Sequence, residues 1–395
     1  MGAACDPRRH CRSGRLAAGG ILVILLLLAG CGKRAEQAAD RTEEPVVNFY
    51  NWSDYIAPET IPRFEKETGI TVRYDTMDSN DVLEGKLLAG ATGYDLVVPS
   101  GSFFAVQVQA GLFQEIDRHR LPHYHHLDPA ILQRLEPLDP GLKHGVPYMF
   151  GTTGLGYDVN KILARMPDAP LDSWDLLFKP ENARRFADCG IAILDAPDEL
   201  QWITMHYLGL DPESPSRETI EAGMRLIQRI QPYVRYFHSS AYIDDLANGE
   251  ICLALGWSGD IYQARRDAAE GIDIRYVIPK EGTIIWFDIL AIPADAPHPR
   301  NAHRLIDFLL RPEIAAANSV ATLYATPNRD ARALLPPAIR DDPMIYPDAG
   351  TMARLYPDRP DPPRVVRLRN RAWANVKAGR DPGGSGPVPA GEGKR

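Results

Sequence analysis

A two-lobed α/β fold is predicted from three features of the 395-residue sequence. Strands and helices alternate in βαβαβ order from Val46, a second βα system occupies the middle of the chain, and long apolar strands at 145–156 and 284–292 lie between the two systems. Alternation implies a parallel sheet with helices on both faces. Two such systems joined by shared strands imply a chain that crosses between lobes more than once.

Residues 46–50 form the first strand. The stretch 58–68 reads as a helix opened by Pro58 and stopped by Gly69. Residues 71–74 are the second strand, and 81–89 a helix capped by Ser79 or Asn80 and ended at Gly90. A third strand, 95–98, closes at Pro99 before a helix over 102–110. Further on, 200–208 and 217–230 have helical period, 251–255 is a buried strand, 260–269 a helix ended by Gly271, and 274–277 a strand. After the turn at Lys280-Glu281-Gly282 comes the apolar strand 284–292, then helices 302–310 and 313–321 separated by Pro312. A last helical stretch lies near 367–377, and the tail from Gly379, rich in Pro, Gly and charge, is expected to lack structure. No internal repeat is found.

Residues 1–30 read as an address rather than part of the fold. Arg8, Arg9, Arg12 and Arg15 precede the apolar run 21–28, which is too short to span a bilayer. Leu28-Ala29-Gly30-Cys31 resembles the lipobox of bacterial lipoproteins, so Cys31 is expected to be acylated and to anchor the chain without spanning; an ordinary signal peptide with a chance Cys competes with this. Residues 31–45, polar and charged, form a tether. The net charge of −8 argues against nucleic acid and favours a cationic solute, although solubility alone accounts for it too. Beyond Cys5, Cys11 and Cys31 only Cys189 and Cys252 remain. Two thiols in an exported chain point to one disulfide, while the spacing leaves two buried free thiols open.

Ligands of open α/β sheets collect beyond the carboxyl ends of strands. Trp52, Ser53, Asp54 and Tyr55 follow the first strand, Ser100 the third, and Trp257 to Asp260 the strand 251–255; Glu199 opens the helix after the apolar run 191–194. Each acid or hydroxyl has an ordinary reading as a helix cap or dipole partner, and each ring as a core residue. Asp288 differs. It lies inside the apolar run 284–292, where a carboxylate must be paired and no cap role exists. Aromatic faces beside acids favour an organic cation. His119, His123, His125 and His126 lie in a polar loop without a matching carboxylate pattern and read as solvated, so no metal or other cofactor is expected. The run 151–156 lacks the spacing and lysine of a phosphate loop, and no activated nucleophile is apparent.

From Val46 to Lys377 the chain resembles the polyamine-binding proteins of bacterial ABC importers, their putrescine-binding branch most closely. The matching blocks are Tyr50-Asn-Trp-Ser-Asp-Tyr-Ile-Ala-Pro, Phe64-Glu-Lys-Glu-Thr-Gly-Ile, Val82-Leu-Glu-Gly-Lys-Leu and Asp95-Leu-Val-Val-Pro-Ser. Tyr236-Phe-His-Ser-Ser, Asp245-Leu-Ala-Asn-Gly and Arg371-Ala-Trp follow. The resemblance implies a type II periplasmic-binding-protein fold, with lobe 1 from 46–148 plus 279–326, lobe 2 from 149–278 plus 327–378, and a disordered tail over 379–395. It implies that Asp260 and Asp288 bind one ammonium, with Ser53, Asp54, Glu199 and Ser100 as polar partners at the other end or lining the cleft. Trp52, Tyr55, Trp257, Trp286 and Tyr324 would wall the methylene chain, and Cys189 would pair with Cys252. The partners implied are a polyamine, an ABC permease and its ATPase, with no chemistry on the solute.

Ser53, Asp54, Ser102, Ala196 and Asp260 match the putrescine type. In the spermidine type the position of Ala196 carries an acid and that of Asp260 does not. Two positions depart: Trp286 stands where the putrescine type has Phe, and Asp358 where it has an apolar residue. An extra carboxylate at Asp358 suits a third amine or a longer diamine, unless it is a solvated loop residue. Putrescine is favoured, with spermidine and cadaverine open. The lipobox departs from the soluble periplasmic members and implies a membrane-tethered extracytoplasmic protein. Two rivals stand beside this: a binding protein for another organic cation serving a sensor, and a metal hydrolase using Asp54, Asp260, Asp288 and the His loop.

Overall fold

The computed structural model describes residues 43–357 and 359–384; Cys31, its lipobox, Asp358 and the end of the tail lie outside them. Among the described residues, those from Pro45 onward form one compact unit. The strands are β1 (Val46–Trp52), β2 (Thr71–Met77), β3 (Leu96–Val97), β4 (Gly145–Asp158), β5 (Ile191–Ile193), β6 (Tyr236–Phe237), β7 (Leu253–Trp257), β8 (Ile274–Val277), β9 (Thr283–Ala291) and β10 (Leu355–Pro357). Their order is β2-β1-β3-β9-β4-β7-β5-β6, with β8 beside β4 and β10 beside β9.

The order resolves into two parallel groups held together by an antiparallel pair. β1, β2 and β3 are parallel to one another, as are β5, β6 and β7. Between them run β4 and β9. Residues 145–152 of β4 pair with β9, whereas 153–157 pair with β7 and 155–158 with β8. One long strand therefore passes from one group to the other at Thr152–Thr153. Every residue of β4 and β9 is buried, as expected of strands covered on both faces.

The helices follow local signals closely. Ser79 caps Asn80–Ala89 by accepting from the Asp81 amide, Gly69 ends Thr60–Thr68 in the left-handed region, and Ser216 with Thr219 forms a capping box on Arg217–Ile230. Pro58 does not open its helix; that helix begins at Thr60 after a turn. The expected strand 95–98 shortens to Leu96–Val97, and beyond it the ladder to β9 continues as the isolated bridge Ser100↔Asp288. Residues 379–384, expected to open a structureless tail, run against neighbouring helices: Asn375 Nδ2 donates to the carbonyls of Pro382 and Gly384, and Arg225 pairs with Asp381.

Cys189 and Cys252 form a disulfide with Cα atoms 5.5 Å apart and a sequence separation of 63. They sit just before the paired parallel strands β5 and β7, whose register brings the two positions together. By the chain-entropy model the bond contributes roughly 4 kcal/mol. Reduction is expected to remove about that much from the urea unfolding free energy.

Candidate functional site

The carboxyl end of β1 turns sharply into the cleft. Asn51, fully buried, donates from Nδ2 to the Tyr55 carbonyl at 3.3 Å and to the Tyr74 hydroxyl at 3.1 Å, which pins the loop 52–55. Asp54 has φ of 53°, a left-handed conformation that Asp tolerates better than most residues. Trp52 Nε1 donates to the Val98 carbonyl at 2.9 Å, and the Ser53 hydroxyl donates to Asp78 at 2.9 Å. The Tyr148 hydroxyl donates to the Tyr55 carbonyl at 2.9 Å.

Asp288 lies in the middle of β9, 4% exposed. Opposite it, Ser100 occupies the cap position of helix Gly101–Gln109 but makes no side-chain cap bond. Its hydroxyl instead donates to Asp288 at 2.7 Å, while Asn80 Nδ2 donates to the Ser100 oxygen at 3.1 Å. Burial pushes the Asp288 carboxyl up to about 7, with the Ser100 and Tyr55 hydroxyls pulling the other way.

Asp260 sits in the first turn of Ser258–Arg266, again not as a cap. The hydroxyls of Tyr242 and Tyr324 each donate to it, both at 2.6 Å. Burial pushes it up to about 7 as well; the two tyrosines oppose this and the Asp54 charge adds to it. The approach of Tyr324 depends on Gly259, since a Cβ there would lie 2.5 Å from the ring. Gly259→Ala is expected to destabilise the fold by about 1–3 kcal/mol, the scale of overpacking, read as a shift in urea midpoint.

Glu199 opens Pro197–Tyr207 in its first turn and also turns inward: it accepts from Trp257 Nε1 at 2.8 Å and from the Thr153 hydroxyl. The rings meet edge to face, with centroids 5.7 Å apart for Trp52–Trp257, 5.0 Å for Tyr55–Tyr324 and 5.4 Å for Trp286–Tyr324.

One cavity of about 490 Å³, its open mouth included, is lined by Trp52, Ser53, Asp54, Tyr55, Ser100, Glu199, Trp257, Asp260, Trp286, Asp288 and Tyr324. Ser102 lines a neighbouring cavity with Asp81, Trp202 and Asp361 instead. Sequence reasoning missed Met77, Asp78, Ser239, Ser240 and Ile243, which line the same cavity, and Tyr242, whose hydroxyl donates to Asp260. The block Tyr236-Phe-His-Ser-Ser carried the two serines, and nothing in it marked them as facing the cleft.

The histidine loop lies elsewhere and is less solvated than expected. His123 contacts Asp307 at 2.9 Å and His126 contacts Asp330 at 2.6 Å, carboxylates brought from distant helices that the local sequence did not reveal. None of these histidines lines the cleft.

Two buried carboxylates, the less buried acids Asp54, Asp78 and Glu199 and a set of rings can hold a compact organic cation. Residues 59–347 match the family model described as bacterial extracellular solute-binding protein. The chain is 45% identical to the putrescine-binding periplasmic protein of Escherichia coli over 90% of this chain and 97% of that protein. It is 46% identical to a putrescine-binding periplasmic protein of Pseudomonas aeruginosa, over 91% of this chain and 99% of that one. A solved structure from Listeria monocytogenes, assigned to a spermidine/putrescine ABC transporter, superposes with a TM-score of 0.78 at 31% identity and covers 85% of this chain and 100% of that one.

Proposed function

Because the chain belongs to the bacterial extracellular solute-binding proteins, we propose that its cleft captures a polyamine, putrescine foremost, and delivers it to an ABC importer. The observation that carries this reading is the pair Asp260 and Asp288. Both are buried, both are pushed up to about 7, and among the described residues no Lys or Arg forms an ion pair with either. A buried carboxylate without a cation is costly, and an ammonium that arrives with the ligand removes that cost.

In this reading one ammonium sits between Asp260 and Asp288, and the second faces Glu199, Asp54 and Ser53. The rings of Trp52, Tyr55, Trp257, Trp286 and Tyr324 replace water around the methylenes. The lobes 46–148 with 279–326 and 149–278 with 327–378 close on the diamine, because without it closure crowds unpaired acids. The cleft binds without reacting. Cys31 carries lipid and tethers the protein outside the cytoplasm.

Calorimetric titration with putrescine, cadaverine, agmatine and spermidine tests the ligand. Putrescine is expected to bind most tightly. Tight binding of none of the four would overturn the polyamine reading.

A further inference from the structure

Thr153 belongs to the run 151–156, which has the glycines but not the pattern of a phosphate loop. It is fully buried in β4 at the point where that strand leaves β9 and takes β7 as its partner. Side chains from three other elements join it in one line. Trp286 of β9 donates Nε1 to Thr153 Oγ1 at 3.2 Å, Thr153 Oγ1 donates to Glu199 Oε2, and Trp257 at the end of β7 donates Nε1 to Glu199 Oε1 at 2.8 Å.

The direction of each link is fixed. An indole N–H donates and never accepts, so the Thr153 oxygen accepts from Trp286 and its single proton is left for Glu199. Glu199 is thereby held at both oxygens by donors that are themselves locked in strands. Valine has the same shape as threonine and suits a buried strand at least as well, so sheet packing does not account for the hydroxyl. A buried hydroxyl is tolerated only when bonded, and here both of its bonds serve the site.

We infer that Thr153 is a positioning residue whose hydroxyl fixes the Glu199 carboxylate toward the cleft and ties it to β9, the strand that carries Asp288. The inference rests on the polyamine reading and deepens it. Through Thr153 and Trp286 the acid at one end of the ligand is linked to the strand that carries the acid at the other, at the crossing between the two strand groups.

A double-mutant cycle on the full chain tests it, with putrescine affinity read by calorimetry. Thr153→Val is expected to weaken putrescine about tenfold, and Thr153→Ser to restore affinity to within about threefold. In a Glu199→Ala background Thr153→Val is expected to change affinity less than about twofold, since no carboxylate is left to position. An equal loss in both backgrounds would mark a packing defect and overturn the inference, as would an unchanged Thr153→Val. Thr153→Ala, which removes the hydroxyl without filling its space, enters the same cycle if the valine variant does not fold. If the unsubstituted protein binds none of the four amines tightly, the polyamine reading and the inference fall together; if it binds one of them and the cycle, run with that amine, shows no coupling, only the inference falls.

Discussion

Asp288→Asn is expected to weaken putrescine by about 1.5–3 kcal/mol or more, the scale of a hydrogen bond to a charged group, while making the ligand-free protein more stable at pH 8. The two effects have one cause. The carboxylate is buried with only hydroxyl donors beside it, so its charge raises the free energy of the empty cleft. The asparagine oxygen still accepts from Ser100, and the amide removes the charge. A shift from 3.8 to about 7 corresponds to a stability gain of up to roughly 4 kcal/mol. Asp260→Asn should lose affinity similarly without that gain. Two tyrosine hydroxyls donate to Asp260, one to each oxygen, and an amide offers only one oxygen to accept. Calorimetry and urea unfolding at pH 8 check both variants. Unchanged affinity in both would contradict the ammonium site.

Putrescine affinity is expected to fall steeply as the pH drops below about 7. Both carboxyls stand near 7 in the empty cleft and must be ionised to hold the ligand. Between pH 8 and pH 5 each can cost up to roughly a hundredfold in affinity, and binding near pH 6 should release protons. Titration in two buffers of different ionisation enthalpy measures that release. The stability of the empty protein runs the other way. A carboxyl raised above its unfolded value favours the fold fully below about 3.8, and this contribution is lost as the pH rises through about 7. The stabilisation conferred by putrescine should therefore grow from pH 5 to pH 8.

Much of the architecture could be read because the determining signals are local. The apolar runs that became β4 and β9 are buried on both faces, and a carboxylate inside one of them had no innocent role. The cap readings of Ser100, Glu199 and Asp260 gave way for a tertiary reason. Each occupies a helix start, but its side chain turns toward partners from another part of the chain, Asp288, Trp257 or Tyr242. Tyr242 and Thr153 were invisible for the same reason: neither lies at a strand end, and their roles come from what the folded sheet sets against them. Asp307 and Asp330, which meet the histidine loop, are roughly two hundred residues away in sequence.

The most direct test of the account is a crystal structure of the putrescine complex. The account predicts one diamine in the cleft, with one ammonium nitrogen within hydrogen-bonding distance, about 3 Å, of both Asp260 and Asp288 and its methylenes against Trp257 and Tyr324. A diamine bound elsewhere, or one whose ammonium groups leave both carboxylates unengaged, would contradict it.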